Sequence, residues 1–191
     1  MYKRTALLLI MLCMFYVMLS QKSTSKKELD LYNKIYGIAI DSFLSSKPLH
    51  VFLIDRTYNR HIQEFNFSQQ LDKFDSDWIV FLKDADIRKS ALPTLKLRQT
   101  KSIHTIRLLN SDTLLKIQAE KYQVGKGIED RFGWIDGWVT ISTPIISRNK
   151  DKAIVEINYT RDIKDGHGGM LFLEKKNGNW IIVRYVQTWV A

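Results

Sequence analysis

Apolar residues recur at every third or fourth position over residues 29–44, and this spacing predicts an amphipathic helix that Pro48 ends. Ser25 and Glu28 stand at the spacing of a capping box at the start of that helix. The nearly continuous apolar run Leu49–Tyr58 follows and predicts a strand buried on both faces. The folded part of the chain therefore begins with a helix and a buried strand.

The middle of the chain has weaker patterns. Residues 59–70 are polar and read as a connection, and His104–Leu109 is compatible with a strand. The segment from Ser111 to Tyr122 fits a helix or a strand equally well. A second, short helix is predicted from Ser76 to a break at Pro93, with its inward face formed by Trp78, Phe81, Leu82 and Ala85.

The last third of the chain alternates with the period of β-strands. Lys152–Thr160 alternates at period two, and an extended segment around residues 137–147 is interrupted at Pro144. Asn177-Gly178 is a strong hairpin turn signal, because both residues tolerate positive φ. The fold class expected is α+β, with an N-terminal helix and one or two short helices packed on a mainly antiparallel sheet that ends in a C-terminal β-meander.

The N-terminus has the order of an export signal. Lys3 and Arg4 precede the apolar run Leu7–Leu19, and the small residue Ser20 follows. The run is short for a membrane span, which needs about 20 apolar residues, and cleavage and retention both remain open. We therefore expect a signal peptide or signal-anchor over residues 1–20, a polar tether over 21–27 and a single α+β domain over 28–191.

The single cysteine agrees with this division. Cys13 lies inside the apolar run, so a cleaved chain would have no disulfide, no thiolate nucleophile and no cysteine-bound zinc. Lys3 and Arg4 favour an inside location for the N-terminus if the segment stays. The expected location is extracytoplasmic, either periplasmic or membrane-anchored and facing outside the cytoplasm, with membrane attachment through residues 5–20 left open.

The charge of the chain is basic without a concentrated patch. The formal net charge is +9, and removal of Lys3 and Arg4 with the signal would leave 27 basic against 20 acidic residues, or +7. Such a charge suits an anionic surface or a glycan as partner, but scattered charges more often serve solubility. Nucleic acid is not an expected partner of an exported chain, and no cofactor is expected.

The stretch DGHGG, residues 165–169, is the main candidate for chemistry. Its glycine dipeptides lie between two strand patterns, so a turn is the preferred interpretation. The alternative is that Asp162, Asp165 and His167 act together as acid/base groups or as metal ligands. The other histidines, His50, His61 and His104, are isolated and read as surface or half-buried residues.

Aromatic residues form a second candidate. Phe132, Trp134 and Trp138 could make a stacking platform for a sugar or an apolar ligand, although core packing is the preferred interpretation. Gly125-Lys126-Gly127 lacks a preceding strand and reads as a loop. The chain contains no HExxH, GxSxG, P-loop or dinucleotide fingerprint.

Several stretches together resemble a group of small, uncharacterised exported proteins of the Bacteroidetes. They are ELDLYNKIYGIAIDSFL, VFLIDRTY with Asp55 and Thr57, GWVTISTPIISRNKDKAIVEINYT, and GGMLFLEKKNGNWIIVRYVQTWVA. The resemblance covers about two-thirds of the chain and implies no established activity. The ending LEKKNGNWII also resembles nuclear-transport-factor-two-like domains, which would imply a curved sheet with helices around a pocket.

These observations favour an exported or membrane-anchored cell-envelope domain of unknown function, which binds a ligand or partner without catalysis. The alternative is a hydrolase- or isomerase-like enzyme that uses Asp162, Asp165 and His167, or Asp55. A structural or assembly role is the third interpretation, and it would be marked by an exposed apolar patch.

Overall fold

The structure is a computed structural model, and it describes residues 26–44, 47–98, 100–120, 123–162 and 164–191. These residues divide into two units between Leu31 and Tyr32, and the packing discussed below lies within Tyr32–Ala191. The predicted signal at 1–20 and the tether up to residue 25 lie outside the described residues. Among the described residues, no helix is both long and apolar enough to cross a membrane.

The helices match the strongest sequence patterns. The predicted N-terminal helix and the helix from Ser76 are confirmed, and all four predicted inward residues of the second are buried. The segment after Ser111 is helical, which decides the ambiguity between helix and strand. The bounds are α1 Lys26–Phe43, α2 Arg60–Glu64, α3 Ser76–Arg88, α4 Ser111–Glu120 and α5 Val124–Phe132, with 3-10 turns at Phe67–Lys73 and Lys89–Ala91.

The strands form one mixed sheet of seven strands in the order β2-β1-β3-β5-β6-β7, with β4 also paired to β5. Strand β1 pairs in parallel with β2 and β3, and the pairs from β3 to β7 are antiparallel. The α+β class and the C-terminal meander are therefore confirmed. The bounds are β1 His50–Ile54, β2 Thr105–Leu109, β3 Gly137–Ile141, β4 Ile145–Ile146, β5 Lys152–Asp162, β6 Asp165–Lys176 and β7 Asn179–Val190.

Successive side chains of β5 point to opposite faces of the sheet. Glu156 and Asn158 lie on the face that we call the polar-row face. Two separate apolar clusters cover that face. One joins α2, α3 and the strands through Ile62, Phe67, Trp78, Phe81, Leu82, Ala85, Ile145, Ile154, Met170 and Phe172. The other joins α4 and α5 to the parallel strands through Phe52, Ile54, Leu109, Leu114, Ile117, Ile128 and Trp138.

The opposite face carries the 32–43 part of α1. Phe43 stacks on His167 with ring centroids 4.7 Å apart and meets Tyr185 edge-on at 5.8 Å. Gly37 lets this helix approach the chain closely, since a Cβ there would lie 2.6 Å from the carbonyl oxygen of Lys101. The glycine inside the helix therefore allows a close backbone approach.

Three local predictions are wrong. DGHGG is not a turn but the first five residues of β6, and Asp165 already pairs with Asp162 of β5. Gly125-Lys126-Gly127 is helical within α5 instead of looped. The polar connection after residue 58 contains α2 and a 3-10 turn, because Ile62 and Phe67 anchor it to an apolar cluster.

The turn between β6 and β7 confirms the hairpin prediction. Asn177 and Gly178 have φ values of 51° and 83°, the positive pair that the tight turn requires. Trp180, two residues further on, is buried as expected for an indole at the end of the core. The meander therefore folds back with its last strand, β7, beside β6.

Candidate functional site

A row of four residues crosses the polar-row face. Thr140 of β3 stands opposite Asn158 of β5, Asn158 opposite Gly168 of β6, and Gly168 opposite Trp189 of β7. Residues directly opposite each other on neighbouring strands have close Cβ atoms, so their side chains can interact. The amide of Asn158 approaches Thr140 Oγ1 at 3.3 Å, and its oxygen accepts a hydrogen bond of 2.6 Å from the indole nitrogen of Trp189.

The glycines of DGHGG make this row continuous. A Cβ at Gly168 would overlap both Asn158 Oδ1 and Trp189 Nε1, and one at Gly166 would lie 2.8 Å from the indole ring. Only residues without a side chain allow the indole to reach across β6. The role of the two glycines is therefore to seat Trp189 against the sheet.

Glu156 is a buried charged residue on the polar-row face, two positions before Asn158 in β5. Its side chain is fully buried, and one carboxylate oxygen accepts a hydrogen bond of 3.0 Å from the backbone of Ile62. The other oxygen lies 2.8 Å from the Asn158 amide nitrogen and 2.8 Å from Nδ1 of His61. Ser142 Oγ in turn accepts from the backbone N–H of Glu156, so the backbone at this point is fixed as well.

Burial and hydrogen bonding act on Glu156 in opposite directions. Burial raises the pKa of the carboxyl group, and the hydrogen bonds from Asn158, His61 and Ile62 lower it in part, with a net increase. Removal from water disfavours the charged form, whereas donors that point at the carboxylate favour it. The carboxyl group thus holds its proton more tightly than an exposed glutamate does.

His61 connects this buried carboxylate to the solvent. It lies in the first turn of α2, and its side chain keeps 40% of its exposure while that of Glu156 keeps none. Tyr58 meets the imidazole edge-on at 5.8 Å and is itself 43% exposed. Because Nδ1 faces Glu156, Nε2 on the far side of the ring points away from the carboxylate. We call Thr140, Glu156, Asn158, Trp189 and His61 the Glu156 site.

The Glu156 site lies beside a change of direction in the sheet. Strands β2 and β3 flank β1 on opposite sides: the connection from β1 leads to β2 on one side, and the connection from β2 leads back across β1 to β3 on the other. Ligands of open α/β sheets bind at such switch points, outside the carboxyl ends of the strands. The chain leaving β1 runs beside the end of β3, where Tyr58 donates to the Ile141 carbonyl, and it then forms α2 with His61.

The residues predicted around DGHGG are placed differently. His167 lies on the α1 face, with Phe43 stacked on it and Tyr159 edge-on at 5.8 Å. Asp165 is exposed and lies 4.0 Å from the guanidinium of Arg161. The backbone of Asp162 ends β5, and its side chain is outside the described part. Among the described residues, no group of three or more His, Cys, Asp or Glu could hold a metal ion.

The predicted aromatic platform is divided between core and surface. Trp138 is buried in the cluster of α4 and α5, and Phe132 packs against the same cluster with its ring 5.3 Å from Phe52. Trp134 is 65% exposed and lies 6.2 Å from the ring of His50. Core packing, the interpretation preferred from the sequence, therefore accounts for two of the three residues.

Asp55 has a structural role at the end of β1. One carboxylate oxygen accepts from the backbone N–H of Ser111 at 2.9 Å, at the start of α4, and the other from the Asn110 amide at 3.3 Å. A carboxylate at a helix N-terminus satisfies free N–H groups and interacts favourably with the helix dipole. These bonds leave Asp55 engaged in joining β1 to α4.

The sequence patterns did not identify the Glu156 site. From the sequence, His61 is an isolated histidine, and Glu156 and Asn158 are two positions within the alternating segment Lys152–Thr160. The available signal was Glu156 itself, because a charge between the apolar residues Val155 and Ile157 of a strand can mark a buried carboxylate. Its partner is 95 residues away along the chain, so only the fold could reveal it.

Comparison with known proteins returned no match among family models, curated proteins or solved structures.

Proposed function

We propose that the protein is an exported or membrane-anchored cell-envelope domain that binds a small polar ligand at the Glu156 site. The observation that carries the proposal is the fully buried carboxylate of Glu156, joined through His61 to the surface. Export or anchoring rests on residues 1–20 and their charged, apolar and small segments.

The cost of the arrangement supports a functional role. Burying a carboxylate opposes folding even when it is paired, and an apolar residue of similar size is often as stable or more stable in such a place. Glu156 lies on the same face of the sheet as the two apolar clusters. A buried ionisable group whose pKa is raised is more common at binding and catalytic sites than elsewhere.

The chemistry of the exposed members supports a polar ligand. The Glu156 site offers the far nitrogen of His61 and the hydroxyl of Thr140, with the rings of Tyr58 and Trp189 at its borders. Binding sites commonly combine aromatic surfaces with a few fixed polar groups. These groups suit a small ligand that does not need a deep cavity.

The test is a screen of small polar molecules by ¹H–¹⁵N NMR on a chain beginning at residue 21. We expect shift changes confined to His61, Asn158 and the indole of Trp189, and their loss in Glu156→Gln. Glu174→Gln, a carboxylate on the neighbouring strand β6, is the matched control. Hits that map elsewhere, or that persist in Glu156→Gln, would contradict the proposal.

Acid–base catalysis is the second candidate, and one observation favours it. The contact of 2.8 Å between Glu156 and His61 Nδ1 is the arrangement in which a carboxylate orients an imidazole for proton transfer. The hydrolase- or isomerase-like activity considered for Asp162, Asp165 and His167 would then belong to His61. Turnover of a bound molecule that His61→Gln abolishes, with binding retained, would replace the binding proposal by this one.

A further inference from the structure

The hydrogen-bond directions inside the Glu156 site are fixed by a donor that cannot accept. The indole nitrogen of Trp189 only donates, so the Asn158 atom that it meets must be the amide oxygen. The amide nitrogen of Asn158 therefore faces Glu156 and Thr140. Consequently Asn158 presents a donor, and never an acceptor, to the carboxylate.

The carboxylate of Glu156 is then surrounded by donors. The Ile62 backbone donates to one oxygen and the Asn158 amide to the other, and the second oxygen also faces His61 Nδ1. Donors directed at a carboxylate favour its charged form. If Nδ1 of His61 carries the proton, this nitrogen also donates a hydrogen bond to Glu156, and each of these contacts of the carboxylate is then a hydrogen bond that it accepts.

A neutral imidazole that has its proton on Nδ1 has a lone pair on Nε2. Nε2 is the ring nitrogen turned away from Glu156, and the His61 side chain as a whole keeps 40% of its accessibility. A fixed acceptor facing solvent selects a donor in the ligand, such as a hydroxyl group, and disfavours a carboxylate or phosphate at that point.

Resting on the proposed function, we infer that the Glu156 site takes a neutral polyhydroxylated ligand, a sugar or polyol, one hydroxyl of which donates to Nε2 of His61. Sugars offer several hydroxyl donors together with apolar ring faces that pack on aromatic side chains. Tyr58 contacts the ring of His61, and Trp189 donates to Asn158, so each ring borders one of the polar residues of the site.

The charges around His61 agree with a neutral ligand. Arg60 on the same helix is paired with Glu64 at 3.2 Å, and Glu156 of β5 is the ionisable group facing the imidazole from the sheet. The phenol of Tyr58 precedes the helix, and Thr140 and Asn158 contribute uncharged groups. Within the described residues, these neighbours of His61 therefore include no unpaired cation that could bind an anionic ligand.

The first measurement is the tautomer of His61 by long-range ¹H–¹⁵N correlation NMR at neutral pH. We expect the Nδ1–H form in the wild type and a mixture of forms, such as a free imidazole gives, in Glu156→Gln. His50, exposed at the start of β1, is the internal control and should give the same pattern in both proteins. An Nε2–H form of His61 in the wild type would overturn the inference.

The second measurement is titration with glucose, galactose, mannose and glycerol, and with acetate and phosphate as acceptor-only or anionic probes. We expect saturable shifts of Trp189 Nε1–H and His61 with at least one sugar, and at least a tenfold weaker affinity in His61→Phe than in His50→Phe.

The outcomes separate the two proposals. Binding of acetate or phosphate at the Glu156 site without any sugar would refute the ligand class and leave the proposed function standing. Absence of shifts at the site with every probe and in the polar-molecule screen would refute both. Sugar binding unaffected by His61→Phe would remove His61 from recognition.

Discussion

Replacing Trp189 by phenylalanine removes one hydrogen-bond donor from the Glu156 site and keeps an aromatic ring over the glycines of β6. The indole nitrogen lies 2.6 Å from the amide oxygen of Asn158, a residue that is 6% exposed. In the variant that oxygen is left buried without this donor. A buried polar atom that loses its partner costs about 1–3 kcal/mol.

The smaller ring adds to this cost. Trp189 is partly exposed, so only part of the lost apolar area was removed from water by folding. At about 25 cal/mol per Å² of apolar surface, a loss of some tens of Å² corresponds to about 1 kcal/mol. We therefore expect Trp189→Phe to lower the free energy of unfolding by about 2–3 kcal/mol, with the hydrogen bond as the larger part.

Urea unfolding followed by far-UV circular dichroism measures the change, with Trp134→Phe as the matched control. Trp134 is 65% exposed, and a substitution there is expected to change stability by less than about 0.5 kcal/mol. The urea dependence should be the same in all three proteins. If Trp189→Phe falls within about 0.5 kcal/mol of the control, the hydrogen bond across β6 does not stabilise the fold as reasoned.

Three further substitutions test other parts of the same argument. Glu156→Gln should remove a pH dependence of the free energy of unfolding. Because the pKa of Glu156 is raised in the folded chain, the wild-type protein should lose stability as the pH rises from about 4.3, the ordinary glutamate value, through the folded pKa. Unfolding curves of both proteins between pH 4 and 7 check this, and a constant difference would contradict it. Gly168→Ala should cost about 2–4 kcal/mol, because the methyl group displaces the side chains opposite it; calorimetry measures the loss, and an unchanged melting temperature would refute the overlap. Asp55→Ala should cost about 1–2 kcal/mol by uncapping α4, read from urea midpoints, and hydrogen exchange at Ser111 should increase; unchanged exchange would oppose the capping role.

The parts of the fold that were predictable are those with a local cause. Positive φ at Asn177 and Gly178, the helical period of α1 and the alternation of β5 are each set by neighbouring residues. The glycines of DGHGG misled for the same reason, because glycine favours turns locally, whereas here a close approach from a distant side chain requires it inside a strand. Trp189 supplies that side chain from another strand.

The Glu156 site could not be assembled from sequence because its parts are joined only by the sheet. Thr140, Asn158, Gly168 and Trp189 come from four strands, and their register decides that they share a row. His61 reaches them from a five-residue helix that has no periodicity to detect. The local sign was a glutamate between the apolar residues Val155 and Ile157, which indicates a buried charge without identifying its partner.

The seating of Trp189 also has a practical consequence for how the protein is prepared. The backbone N–H of Ala191 donates to the Gly166 carbonyl at 2.9 Å, so this residue is hydrogen-bonded close to the indole of Trp189. An affinity tag fused directly after Ala191 would be separated from Trp189, a member of the Glu156 site, by only Val190 and Ala191. Purification handles are better separated from it by a flexible linker, and a ligand screen on a C-terminally tagged protein should be repeated after the tag is cleaved.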